Sequence, residues 1–277
     1  MGLRISTNMA ALAANRVLSK TNIQQNKSFQ RLSSGQRITQ AGDDAAGLAV
    51  SENLRAQIRS MNEAEKNATS GVSLVQVAEG GLSEVGNILV RLRELSIQAA
   101  SDTIGDNERG FINQEFQSLI QEVDRIANVT TFNGTPLLNA SGEKSVLEFQ
   151  VGIRNDEADR INFNVGEYDA RSGALGIDGA KAETIDDARA SIDQLDSALS
   201  KVSETRARLG AMQNKLQSTT NNLAIAKENL VGARSRIADA DIAEESSNLV
   251  RENILQQAGI SVLAQANQNP MTALKLI

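Results

Sequence analysis

The chain has 277 residues, 40% of them hydrophobic but only 3% aromatic, with no Trp, Cys or His and a formal net charge of −6. This excludes disulfide scaffolds, Cys nucleophiles, His bases and His/Cys metal sites. The core must come from Leu, Ile, Val and Ala, which suits long helices packed side by side.

The two prolines, Pro136 and Pro270, leave long stretches free to run as helix. No apolar run is long enough to span a membrane. The opening "MGLRISTNMAALAANRVL" lacks the apolar block and cleavage site of a secretory signal, so export would need another route. Ile5, Met9, Leu12, Val17, Leu18 and Phe29 recur at helical spacing and predict one amphipathic helix from Ile5 to Leu32. Residues 1–42 carry Arg4, Arg16, Lys20, Lys27, Arg31 and Arg37 and no acid. A nucleic-acid arm has such a charge, but this one holds a single aromatic, Phe29, and no nucleic-acid motif. Packing of the basic segment against acidic surface is the better expectation.

"SSGQRITQAGDD" (33–44) interrupts the helix with Ser and Gly and reads as a joint. Asp43 and Asp44 at its end could start the next helix or join a metal site. The nearest other acid, Glu52, lies two helical turns on, too far to complete an oxygen cage. An N-cap role is therefore expected. From Val75 a heptad seam follows: Val75, Ala78, Leu82, Val85, Leu89, Leu92, Leu95 and Ala99. Gly80, Gly81 and Gly86 weaken it locally or admit a close backbone. After the turn at 101–110, Ile112, Phe116, Leu119, Val123 and Ile126 form a second seam that should fold back antiparallel.

Residues 130–145 read as loop. Two alternating runs follow, Leu147, Phe149, Val151, Ile153 and then Ile161, Phe163, Val165, which predict a β-hairpin at about 146–166. One apolar face must lie on the helices, because an isolated hairpin is unstable. The longest seam runs from Ile185 to Leu223 through Leu195, Leu199, Val202 and Leu209, and turns polar at Arg206, Gln213 and Thr220. Those polar positions either set register or mark a solvated bundle edge. A final amphipathic helix is expected over Ala238–Ala266, with Val250, Ile254, Ala258 and Val262 on one face.

The fold expected is mainly α: a long coiled-coil helical bundle with the N- and C-terminal helices paired, plus one small β-hairpin. Residues 1–42 and 236–277 form a terminal-helix domain, and 43–235 form the bundle. Neither terminal helix can bury its apolar face alone, which points to self-assembly. Leu82, Val85, Leu89, Leu92, Leu195, Leu199, Val202, Leu209, Val250 and Ile254 are the expected assembly seams. No catalytic, cofactor or metal site is expected, and no nucleic-acid partner.

"LSSGQRITQAGDDAAGLAVSENLRAQIRSM" (32–61), "LVRLRELSIQAAS" (89–101), "FQSLIQEVDRIANVTTFNGTPLL" (116–138), "SRIADADIAEE" (235–245) and "LAQANQNPMTALKLI" (263–277) resemble the signature segments of bacterial flagellin, in the family's order. Between the hairpin region and the C-terminal helices there is no room for outer domains, so the chain is similar to a short flagellin with the two inner domains. The resemblance implies a structural subunit that polymerises with itself into the helical filament. It also implies export unfolded through a flagellar type III apparatus, a chaperone on the C-terminal helix, and cap and hook-junction partners. The location implied is the filament, external or within a sheath or periplasm. Arg91, Leu95 and Glu115 match the positions where many flagellins meet a vertebrate Toll-like receptor. The rival readings are a hook–filament junction protein and a soluble secreted coiled-coil adhesin or effector. A metalloprotease insert, known in some flagellins, would need His.

Overall fold

The computed structural model describes residues 7–140 and 146–274. The elements are α1 (Met9–Ser34), α2 (Ala45–Ala99), α3 (Asp106–Val129), β1 (Thr131–Phe132), β2 (Thr135–Pro136), β3 (Val146–Gln150), β4 (Arg160–Asn164), the short α4 (Ser172–Leu175), α5 (Ile185–Ala238) and α6 (Ile242–Leu274). The architecture is mainly α, as expected. Contacts divide the chain into unit 1, up to Ile58 together with Glu228 onward, and unit 2, Arg59–Lys227. The division falls inside the continuous helices α2 and α5, not at a loop.

Unit 2 is a helical bundle closed by small strands. The heptad stripe of α2 (Val85, Leu89, Leu92, Leu95) packs with Ile112, Phe116, Ile120 and Val123 of α3 and with Leu195, Ala198 and Val202 of α5. A second cluster joins Leu74, Val75, Ala78 and Leu82 of α2 to Leu209 and Leu216 of α5 and to Ile161 and Phe163 of β4. Each fully buried Leu, Ile or Phe there contributes roughly 1.5–3 kcal/mol of transfer free energy. The expected hairpin is present: β3 and β4 pair antiparallel with Leu147 opposite Phe163 and Phe149 opposite Ile161. Of Gly80, Gly81 and Gly86, Gly81 is the close approach, since a Cβ there would lie 2.7 Å from Thr130 Oγ1 and 2.8 Å from Leu138 Cδ1. Arg206 is exposed and lies 3.8 Å from Glu79, so this polar seam position is a solvated edge.

Two features of unit 2 go beyond the sequence reading. Residues 131–136 form a second, minimal hairpin, with β1 paired to β2. Asn133 and Gly134 turn it at φ 50° and 78°, the left-handed pair that a two-residue turn of the I′ kind requires. The second is Arg109, buried at 3% exposure. Its guanidinium donates to the carbonyls of Ala99 at 2.9 Å and Ile104 at 3.1 Å, and pairs with Asp106 at 2.7 Å. It satisfies carbonyls left open where α2 ends and turns into α3. Arg109→Met keeps the stem and removes the donors, so it should destabilise unit 2 by about 2 kcal/mol in a denaturant melt.

In unit 1, α1 and α6 run antiparallel. The expected start of α1 at Ile5 lies outside the described residues. The C-terminal helix differs from expectation at both ends. It begins at Ile242, because Asp241 Oδ1 accepts from Ala243 N at 2.8 Å and caps it. It also continues past Ala266 and through Pro270 to Leu274. A proline removes the N–H that would bond the carbonyl four residues back. That carbonyl, on Ala266, instead accepts from Asn8 Nδ2 at 2.8 Å. Asn8 Oδ1 meanwhile accepts from Ala11 N and caps α1, so one side chain serves both helices.

Candidate assembly surface

The α1–α6 pair is held by a polar ladder. Gln25 Nε2 donates to Asn253 Oδ1 at 2.6 Å, Gln256 Nε2 donates to Asn22 Oδ1 at 2.8 Å, and Arg31 lies 3.8 Å from Glu245. At the joint, Gly35 takes φ 66° and ends α1 in the left-handed conformation that glycine tolerates. The chain then pairs with the end of α5: Arg37 N donates to Ala238 O at 2.8 Å, Ala240 N donates to Gly35 O at 3.0 Å, and Arg37 Nη2 reaches Ile237 O at 2.7 Å.

The two aspartates have separate tasks. Asp44 Oδ1 accepts from Gly47 N at 2.8 Å, three residues on, and so starts α2. A Cβ at Gly47 would overlap that carboxylate and come within 2.8 Å of Ile38 Cδ1. Asp43 looks backward: Oδ1 takes Lys27 Nζ at 3.1 Å, and Oδ2 takes Thr39 Oγ1 at 3.0 Å and the Gln40 amide at 3.3 Å. The Lys27 ammonium, and then the Thr39 hydroxyl, hold the Asp43 carboxyl below its ordinary value. A depressed carboxylate contributes stability above the unfolded-state value, and that contribution is lost as pH falls through the folded-state value. The Thr39 and Gln40 amide NMR signals should therefore titrate with a midpoint below that of free aspartate, and Asp43→Asn should abolish the transition.

Unit 1 buries little. Its fully buried hydrophobics among the described residues are Ile38, Ala238 and Ala266. Met9, Leu12, Val17, Ile23 and Phe29 on α1 and Ile242, Val250, Ile254, Leu255, Ile260 and Val262 on α6 are exposed, Phe29 at 64% and Ile254 at 61%. So many large apolar side chains in water on one helix pair point to a further partner.

The expected seams therefore separate into two groups. Leu82, Val85, Leu89, Leu92, Leu195, Val202 and Leu209 are buried and Leu199 is half-buried inside unit 2. They close this chain's own core, so they are not a surface for another copy. Val250 and Ile254 are exposed on α6. The expected receptor surface also needs correction. Arg91 and Glu115 are half-exposed and paired at 2.9 Å, with Glu94 3.1 Å from Arg91. Leu95 is 2% exposed and belongs to the core. Its place in the heptad stripe with Leu92 and Ala99 turns it away from solvent.

No three His, Cys, Asp or Glu side chains converge as a metal site among the described residues. No helix among them is long and apolar enough to cross a membrane. A surface hollow of about 850 Å³ carries Glu63 and Glu65, each ion-paired, to Lys66 and Lys227.

The model of the bacterial flagellin N-terminal helical region matches residues 5–143, and that of the C-terminal helical region matches residues 192–277. The chain belongs to the bacterial flagellin family. The flagellin of Halalkalibacterium halodurans is 42% identical over 273 residues, 99% of each chain. A flagellar filament core protein of Treponema phagedenis is 41% identical over 287 residues, again 99% of each. The crystal structure of Bacillus cereus flagellin superposes with a TM-score of 0.51 at 26% identity, covering 57% of this chain and 88% of that one. As a flagellin, the chain is a structural subunit of the flagellar filament, which is a homopolymer. The family is a structural one.

Proposed function

We propose that the exposed apolar faces of α1 and α6 are the surface through which copies of this flagellin stack, and that the terminal helices complete their burial only in the filament. The carrying observation is a helix pair whose large apolar side chains, from Met9 to Phe29 and from Ile242 to Val262, remain in water in the single chain. A subunit built this way must be kept from premature association. A chaperone covering α6, export through the flagellar type III apparatus and delivery to a capped filament tip outside the cytoplasm fit that need. Hook-junction proteins would meet the same faces at the filament base. Receptor recognition, if it uses this region, rests on the exposed Arg91–Glu115 pair and not on the Leu95 side chain.

Seeded assembly tests the reading. Purified monomer is added to short filament fragments and followed by negative-stain electron microscopy and circular dichroism. Filament extension with rising helicity is expected. A fully helical monomer that never extends seeds would overturn the reading in favour of a junction protein or a soluble coiled coil.

A further inference from the structure

The charges of the α1–α6 pair are sorted along its axis. The half away from the joint, residues 7–22 with 253–274, contains Arg16 and Lys20 and no acid. The half beside the joint, residues 23–44 with 236–252, contains five bases (Lys27, Arg31, Arg37, Arg236, Arg251) and seven acids (Asp43, Asp44, Asp239, Asp241, Glu244, Glu245, Glu252), hence −2. Within the chain the two ends hardly neutralise each other. The cross-helix ion pair is Arg31–Glu245, at a loose 3.8 Å. Among the described residues Arg16 and Lys20 form no ion pair, and neither do Glu244 and Glu252.

Local helix physics accounts for part of this. Asp241 and Glu244 sit at the N-terminus of α6, where acids favour the positive helix end. Glu252 is well inside α6 and gains nothing from that effect. Arg16 and Lys20 lie mid-helix in α1, away from the C-terminal turn that favours cations. Being four residues apart they also repel each other. Both are exposed, beside the exposed Val17 and Ile23, and the acids stand beside the exposed Ile242 and Val250.

We propose that Arg16 and Lys20 of one copy dock against Glu244 and Glu252 of a second copy shifted along the rod, so that charge sets the register while the neighbouring apolar side chains supply the affinity. This rests on the assembly reading above. The antiparallel register places the Arg16–Lys20 stretch of α1 about eleven residues further along α6 than Glu244–Glu252, an axial shift of about 16 Å at 1.5 Å rise per residue. A contact between different patches of identical chains is heterologous, and one whose rotation does not close into a ring propagates as an open filament, which is the geometry a filament subunit needs. Opposite charges at such a contact steer encounter and exclude wrong registers more than they add affinity.

A charge swap tests it, with seed extension as the readout and the monomer's helicity as the folding control. Arg16→Glu with Lys20→Glu should slow extension of wild-type seeds by about tenfold or more, because like charges then face each other. Glu244→Lys with Glu252→Lys should do the same. The four substitutions together, on seeds of the same quadruple variant, should restore extension to within about threefold of wild type, since the attraction is re-formed with its sign exchanged. Additive loss in the quadruple variant, or wild-type rates in the two double variants, would overturn the docking. In either case normal growth of the wild-type chain on its own seeds leaves the assembly reading intact, and failure of the wild type would bring down that reading instead.

Discussion

Deleting residues 1–42 or residues 236–277 should abolish seed extension while leaving unit 2 helical and cooperatively folded. Either deletion removes one partner of the α1–α6 pair together with half of the exposed apolar surface. The surviving helix then has no face to pack against, and in proteins most helical stability comes from packing such a face rather than from the helix alone. Unit 2 is insulated from the loss. Its two core clusters draw on residues between Ala68 and Leu216 and on none from α1 or α6. Extension is scored by negative-stain electron microscopy and the integrity of unit 2 by its melting curve. Normal filaments from either truncation would refute the pairing of the termini as the assembly device.

Leu89→Pro should have the opposite profile and collapse unit 2 itself. Leu89 lies inside α2, ten residues before its end at Ala99, with no exposed surface, packed among α3 and α5. Proline there removes a backbone hydrogen bond and clashes with the preceding turn, at a cost of roughly 3 kcal/mol or more. Loss of the buried Leu side chain adds roughly 2–5 kcal/mol. The sum is comparable with the whole stability of an ordinary domain, about 5–15 kcal/mol. The cooperative thermal transition of unit 2 should fall steeply or vanish, and Leu89→Ala should show the side-chain loss alone. An unchanged melting curve would mean that the α2 stripe does not carry the core. By contrast Ile254→Asp, on an exposed site, should leave the monomer's melt unchanged and block seed extension.

Much of this architecture could be read from spacing. The stripe from Val75 to Ala99 announced a buried face on α2, and the alternation around Leu147 and Phe163 placed the hairpin, while its register came from the structure. A helix start at Asp43 or Asp44 followed from acids standing ahead of a helical pattern with no further acid near enough for a metal, and the structure gives it to Asp44. These are local properties, because helix and strand periods are set by backbone geometry within a few residues. The quoted segments from 32–61 to 263–277 also carried the family, and with it the filament role.

What spacing could not supply was the partner of each face. Leu82 and Val250 both sit on apolar stripes, yet one is in the core of unit 2 and the other is in water. Leu95 was expected at a surface by resemblance and in the core by its heptad position, and the packing of α3 and α5 on α2 decided for the core. Nothing in the spacing marked Arg109, whose role depends on the open carbonyls brought to it where α2 ends at Ala99. Pro270 read as a helix stop until Asn8, 258 residues from Ala266 in sequence, took the freed carbonyl. By itself the sequence determined which segments are helical and which side of each is apolar. Only the tertiary structure decided which of those sides meet inside one chain and which remain open, because that choice depends on contacts between residues far apart in the chain, and periodicity carries no record of them.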